Sequence, residues 1–257
     1  MWPDLDAIRS ACRSGTGRGV RVAILDTGID EQHPRLSGAG FLQAQAVQAA
    51  PNGFRVGECA PEDAFGHGTA VAGIIHALAP ETEMQSICVL DCKKRQHRHE
   101  VVKLGALYAI EEGATILNCS FGIPGAAFTL PVYKAWTDHA FERDRHVVAA
   151  SSNADPDESH WPASLAQVLA VTGDHLAPEE LRFRHGSLIS FAAAGVDIPV
   201  LAPSGSSAVL TGSSFAAAHL TGLLARLLSV FPGLTPMFAH AALRRLAEEN
   251  GHDGKPA

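Results

Sequence analysis

The stretch from Phe215 to Phe231, FAAAHLTGLLARLLSVF, carries a single charge, Arg226, and presents Ala, Leu or Val on nearly every face. A helix that is apolar all round must be enclosed, either by the core of a sizeable domain or by lipid. A membrane span needs roughly 18 or more consecutive apolar residues, and no such run exists here. The helix is therefore expected at the centre of a layered soluble domain, with Ser214 at its N-terminus. A chain of 257 residues, 46% hydrophobic and 18% charged, can bury a core of that kind.

What surrounds such a helix follows from the rest of the pattern. Beta-rich apolar runs at 20–26, 84–90, 115–119, 146–150, 168–171 and 190–193 alternate with helical patterns at 67–78, 100–113, 131–145 and 236–248. That alternation predicts an α/β fold, a mostly parallel central sheet flanked by helices on both faces. Open sheets of this kind carry their sites at the carboxyl ends of the strands. No internal repeat or linker interrupts the chain, so residues 1–250 are expected to form one domain and 251–257 a flexible tail.

Three short segments bear the chemistry, in one order: VRVAILDTGID around Asp26, FGHGTAVAG around His67 and LTGSSFAAAHLTG around Ser214. An acid, a base and a hydroxyl nucleophile are the parts of a Ser-His-Asp triad. Each has a plainer alternative: a strand-end aspartate capping a turn, a structural histidine among thirteen, a serine N-cap. Asp-Thr-Gly is also the signature of aspartic peptidases, but that chemistry needs two aspartates sharing a proton, and this triplet occurs once. Gly212-Ser213-Ser214-Phe215-Ala216 is not the Gly-x-Ser-x-Gly elbow, because alanine replaces the last glycine.

The chain order Asp, His, Ser and the residues themselves resemble the subtilisin-like (subtilase) serine peptidases. Asp26-Thr27-Gly28 and His67-Gly68-Thr69-Ala70-Val71-Ala72-Gly73 match that family's first two signatures in full. The third, Gly212 to Ala218, departs twice, with Ser213 for the usual threonine and Ala218 for the usual proline. The resemblance implies a three-layer subtilisin-like fold, cleavage of peptide or protein substrates through an acyl-enzyme, and no cofactor or catalytic metal. It implies Asn153, after Val148-Ala149-Ala150-Ser151-Ser152, as the second oxyanion donor, with Ser152 where glycine is usual. Ser120-Phe121-Gly122 takes the place of the edge segment that pairs with an extended substrate, a β-augmentation mode. The rate is expected to rise from acid toward neutral pH as His67 loses its proton.

Two segments are candidates for specificity. Lys93, Arg95 and His97 belong to a basic run, CKKRQHRH, that is either a solvated face or a subsite wall selecting acidic residues upstream of the cut. Cys88 and Cys92 with His97 and His99 have no recognised zinc spacing. Asp155, Asp157, Glu158 and His160 cluster near the expected pocket for the residue before the scissile bond. They favour a basic residue there or form an acidic surface loop. Ile74 to Pro80 leaves little room for the family's calcium loop, and folding without metal is the expectation.

A net charge of −7 argues against general nucleic-acid binding. Five irregularly spaced cysteines do not form a disulfide framework, and MWPDLDAIRSACRSG lacks the pattern of a secretory signal. Both favour a reducing, cytoplasmic setting, where a peptidase that cut broadly would be dangerous, so a narrow task such as precursor or leader processing is the expectation. Two other uses of the same residues remain open: a pseudopeptidase that only binds peptides, and a transpeptidase that passes the acyl group to an amine.

Overall fold

Central strands in the computed structural model, which describes residues 3–90 and 98–250, are buried end to end, as expected of a sheet covered on both faces. Helix α1 (Leu5–Ser14) is followed by β1 (Arg21–Asp26), β2 (Gly40–Ala50), β3 (Gly53–Glu58), α2 (His67–Leu78), β4 (Glu83–Cys88), α3 (His99–Glu111) and β5 (Ile116–Cys119). The second half runs β6 (Ile123–Pro124), α4 (Leu130–Glu142), β7 (His146–Ala150), β8 (His160–Trp161), β9 (Leu169–Asp174), β10 (Leu181–Phe183) and β11 (Phe191–Ala194). It closes with β12 (Ile198–Ala202), β13 (Ser206–Leu210), α5 (Ser213–Val230) and α6 (Pro236–Asn250).

Nine strands form one sheet among the described residues, in the order β10-β11-β9-β7-β5-β1-β4-β2-β3. Within it only β3 and β10, at the two edges, run antiparallel to their neighbours. From β1 the chain crosses to β2 and β3 at one edge, returns to β4 beside β1, and then moves outward through β5, β7 and β9 on the other side. The crevice between β1 and β5 is thus the topological switch point, where open α/β sheets place their ligands.

Alternation along the strands splits the interior into two cores. Val22 and Ile24 of β1 face α1, α2, α5 and α6, whereas Ala23 and Leu25 face α3 and α4. Helix α5 is long and apolar enough to cross a membrane by composition, yet 89% of it is buried inside the fold. Its one charge is accommodated by carbonyls: Arg226 donates to Leu78 O at 2.5 Å and Cys12 O at 3.0 Å, and pairs with Glu179 at 2.6 Å. A cation there also suits the C-terminal ends of α1 and α2.

The six runs read as strands and the five read as helices all form, with ends shifted by a few residues. The sequence pattern does not reveal α1 or the hairpins β2–β3 and β12–β13. The tail assigned to 251–257 lies outside the described residues.

Burial has one measurable consequence at the start of β7. His146 is 1% exposed, and desolvation, opposed by a hydrogen bond to the Leu234 carbonyl, pushes its pKa down from 6.5 to about 4. The folded state thus holds His146 neutral where the unfolded chain protonates it. The stability this contributes is complete above pH ~6.5 and is lost as pH falls to ~4, a change of about 3 kcal/mol. Urea melts of the parent should weaken across that window, and those of His146→Gln should weaken less by about that amount.

Candidate active site

Asp26 ends β1 with no exposed surface, where a carboxylate is costly unless it accepts hydrogen bonds. It accepts from the Thr27 backbone N–H at 2.7 Å. His67 Nδ1 approaches its two oxygens at 2.7 and 2.9 Å. His67 is the first residue of α2, and Gly68 lets that helix end sit on the turn after β1. A Cβ at Gly68 would collide with the Gly28 carbonyl and come within 3.1 Å of the Asp26 side chain. Cys119 lies behind Asp26, its thiol pushed up by burial and, second, by the Asp26 charge.

A second buried carboxylate braces this corner, and no sequence motif marks it. Asp63 Oδ1 accepts from Thr27 Oγ1 and the Gly66 N–H, both at 2.8 Å. Its Oδ2 accepts from the Thr69 N–H at 2.9 Å and Thr69 Oγ1 at 2.8 Å. The N-cap of α2 is Gly66, which has no side chain to satisfy the first free N–H groups. Asp63 does that instead and locks the Asp26 turn to the His67 turn. A weaker signal was present: an aspartate three residues before a glycine N-cap, at the positive end of a helix.

Ser214 is the second residue of α5. Its hydroxyl donates to the Ser120 carbonyl at 2.8 Å rather than to His67. His67 Nε2 is enclosed and has no hydrogen-bond partner among the described residues. Catalytic hydrogen bonds commonly tighten only with substrate in place. The end of β5 is tied to the nucleophile helix by Asn118 Nδ2 donating to Thr221 Oγ1 at 2.8 Å. Ser120 Oγ adds a bond to the Ser214 carbonyl at 3.0 Å.

Asn153 stands exposed after β7, with Oδ1 accepting the Ser213 N–H at 2.8 Å. That contact fixes the amide and leaves Nδ2 as its donor end. Ser213, in the threonine position, donates its hydroxyl to Ser151 O at 2.7 Å, so this departure keeps a polar tie in place. Asn153→Ala removes both the donor and the Ser213 contact. A 100- to 1000-fold fall in kcat, roughly, is expected with KM little changed; steady-state kinetics read it.

The proposed specificity residues divide. Ser120, Phe121 and Gly122 lie between β5 and β6, outside the sheet ladders, and Phe121 is buried in the core, so this segment offers backbone rather than that side chain. His160 is 8% exposed and packs under Gly122, where an added Cβ would lie 3.4 Å from its ring. Ser152 turns its hydroxyl inward, accepting the N–H groups of Ala154 and Asp155 at 3.2 and 3.3 Å. Asp155 is exposed and accepts the Asp157 N–H at 2.9 Å. Asp157 is held by both Arg184 contacts at 3.2 Å and by Ser187 Oγ at 2.7 Å, so its charge is compensated within the fold. Lys93, Arg95 and His97 lie outside the described residues, as does Cys92. Among the described residues no group of three or more His, Cys, Asp and Glu side chains is placed to hold a metal.

His67, Ser214 and Asn153 meet in the wall of one cavity of about 240 Å³, and Asp26 stands behind His67. A buried acid on a base, a hydroxyl at a helix N-terminus and a fixed amide at the switch point of a doubly wound sheet together define a serine hydrolase of the Asp-His-Ser type. The pattern of the subtilase family matches residues 17–256, and the chain belongs to that family.

It is 32% identical over 226 residues to Subtilisin BL of Lederbergia lenta, covering 83% of this chain and 77% of that protein. Some other matched relatives are longer, and the chain spans 53 to 55% of M-protease of Shouchella clausii and Subtilisin-like protease 6 of Arthroderma benhamiae. Among solved structures, the protease domain of PatA superposes with a TM-score of 0.69 at 27% identity, covering 92% of this chain and 93% of that one. The prenylagaramide maturation protease PagA gives 0.67 at 25% identity, covering 94% and 86%. The protein is a subtilisin-like serine endopeptidase.

Proposed function

We propose that the protein processes a peptide precursor, cutting one or a few bonds rather than degrading proteins broadly. The observation that carries this reading is the likeness to PatA and PagA, which extends over more than nine-tenths of the chain. PagA is a maturation protease. Ser214 turns from the Ser120 carbonyl to His67 Nε2, gives up its proton and attacks the scissile carbonyl. Asp26 keeps the His67 proton on Nδ1 and stabilises the imidazolium, and Asn153 Nδ2 with the Ser214 N–H holds the oxyanion. His67 then protonates the leaving amine, and water releases the acyl group. The free thiols of Cys12, Cys59 and Cys119 support work in a reducing, cytoplasmic compartment.

Mass spectrometry after incubation with a peptide library tests this. Narrow processing predicts a few products sharing one sequence context, whereas dispersed cleavage of unfolded casein at comparable rates would contradict it.

A further inference from the structure

Leu201 is a wall of two cavities, the one beside His67 and a larger one of about 460 Å³ further along α2. The larger cavity lies between α2 and β12: Ile74 and Leu78 come from the helix, and Ile198, Val200 and Leu201 from the strand. The two elements touch at Gly73, where an added Cβ would come within 2.6 Å of the Leu201 side chain. No Asp, Glu or Lys among the described residues lines the space, and its polar side chains are Arg35, His76, Ser207 and His219. Both histidines are neutral at neutral pH, because desolvation lowers their pKa values from 6.5. His219 is also already engaged, with Nδ1 donating to the Phe215 carbonyl at 2.8 Å.

The one full charge is therefore Arg35. It is exposed, and among the described residues its guanidinium makes no ion pair or hydrogen bond. Its backbone is fixed all the same. The Arg35 N–H donates to His33 Nδ1 at 3.3 Å, and His33, 1% exposed, directs Nε2 to the Ser206 carbonyl of the β12–β13 hairpin at 3.3 Å. A mostly apolar space of this size with a few fixed polar groups is the usual form of a small-molecule site. A guanidinium pairs with a carboxylate through two parallel hydrogen bonds. An apolar cavity of about 150 Å³ holds a benzene ring, so this one has room for a chain of about ten carbons.

We propose that this cavity binds a medium-chain aliphatic carboxylic acid, its chain between α2 and β12 and its carboxylate on Arg35. The site is separate from the catalytic groups and does not rest on the peptidase reading.

Calorimetric titration of the whole chain with hexanoate, octanoate and decanoate, at neutral pH and below their micellar concentrations, tests this. Each added pair of methylenes should lower Kd by about 10-fold. Octanol should bind ~3- to 10-fold more weakly than octanoate. Arg35→Gln should erase the advantage of the carboxylate and keep the dependence on chain length. Ala77 lines the cavity from the exposed side of α2, and Ala77→Phe should fill it and weaken decanoate binding by at least ~10-fold. Neither residue belongs to the catalytic machinery, so both variants should turn over a peptide ester at the parental rate, which shows them folded. No saturable binding of decanoate to the parent, a Kd independent of chain length, or octanol binding as well as octanoate overturns the inference. So does decanoate binding to folded Ala77→Phe as tightly as to the parent, which is the mark of adsorption elsewhere on the surface.

Discussion

Replacing Ser214 with alanine is expected to lower kcat by on the order of a million-fold, the size of loss known for the same change in subtilisin. His67→Ala should cost about as much, and the double variant no more than either. The reason is that base and nucleophile act as one unit: without the hydroxyl, Nε2 has no proton to accept, and without the base the hydroxyl is not activated. The structure adds a control. Ser214 Oγ donates to the Ser120 carbonyl, and losing that hydrogen bond costs about 1 kcal/mol of stability. Melting should therefore shift by only a few degrees while turnover collapses, and a fluorophosphonate should label the parent but not Ser214→Ala. A double variant whose losses multiply, or a Ser214→Ala protein with a tenth of parental activity, would contradict this assignment.

The parts of the fold that were legible in the sequence are those with a strong period and full burial. β1, β5 and β7 are short apolar runs ending at polar motifs, and α5 is apolar on every face; both patterns follow from being covered on two sides. β2 was not legible, because GFLQAQAVQAA mixes alanine and glutamine in a half-exposed position near the sheet edge, where neither β-propensity nor alternation is strong. α1 shows in the sequence only as an amphipathic stretch. Its helix depends on an Asp4 cap and on burying Ile8, Ala11 and Cys12, a tertiary effect.

At the site, Asp26, His67 and Ser214 were legible through their residue types and nearby glycines, and Asn153 through the family resemblance of the run before it, although Ser152 stands where glycine is usual. Asp63 was not, since a carboxylate that only accepts hydrogen bonds carries no motif of its own. The cavity beside His67 was hidden for another reason. Phe65 is far in sequence from Leu210 and Phe215, and only the packing of the β12–β13 hairpin and the start of α5 against the start of α2 brings them together.

Asp26→Asn is expected to reduce kcat by about four orders of magnitude with KM nearly unchanged. The side chain keeps its shape, and its remaining oxygen can still accept the Thr27 N–H, so the turn after β1 should hold. What changes is the partner offered to His67. The parental carboxylate presents oxygens at 2.7 and 2.9 Å to Nδ1, which fixes the proton there and leaves Nε2 as the acceptor. An amide NH2 facing Nδ1 asks that nitrogen to accept instead, and the ring proton moves to Nε2, where it blocks removal of the Ser214 proton. Stability should not fall in step, because the substitution also removes a fully buried charge. Two measurements decide between this account and simple misfolding. Nitrogen NMR of the imidazole should report the proton on Nδ1 in the parent and on Nε2 in the variant, and thermal melts should remain within a few degrees of the parent. A variant with parental turnover, or one whose loss tracks a collapsed melting curve with the His67 tautomer unchanged, would show that Asp26 is a strand-end cap rather than the orienting acid.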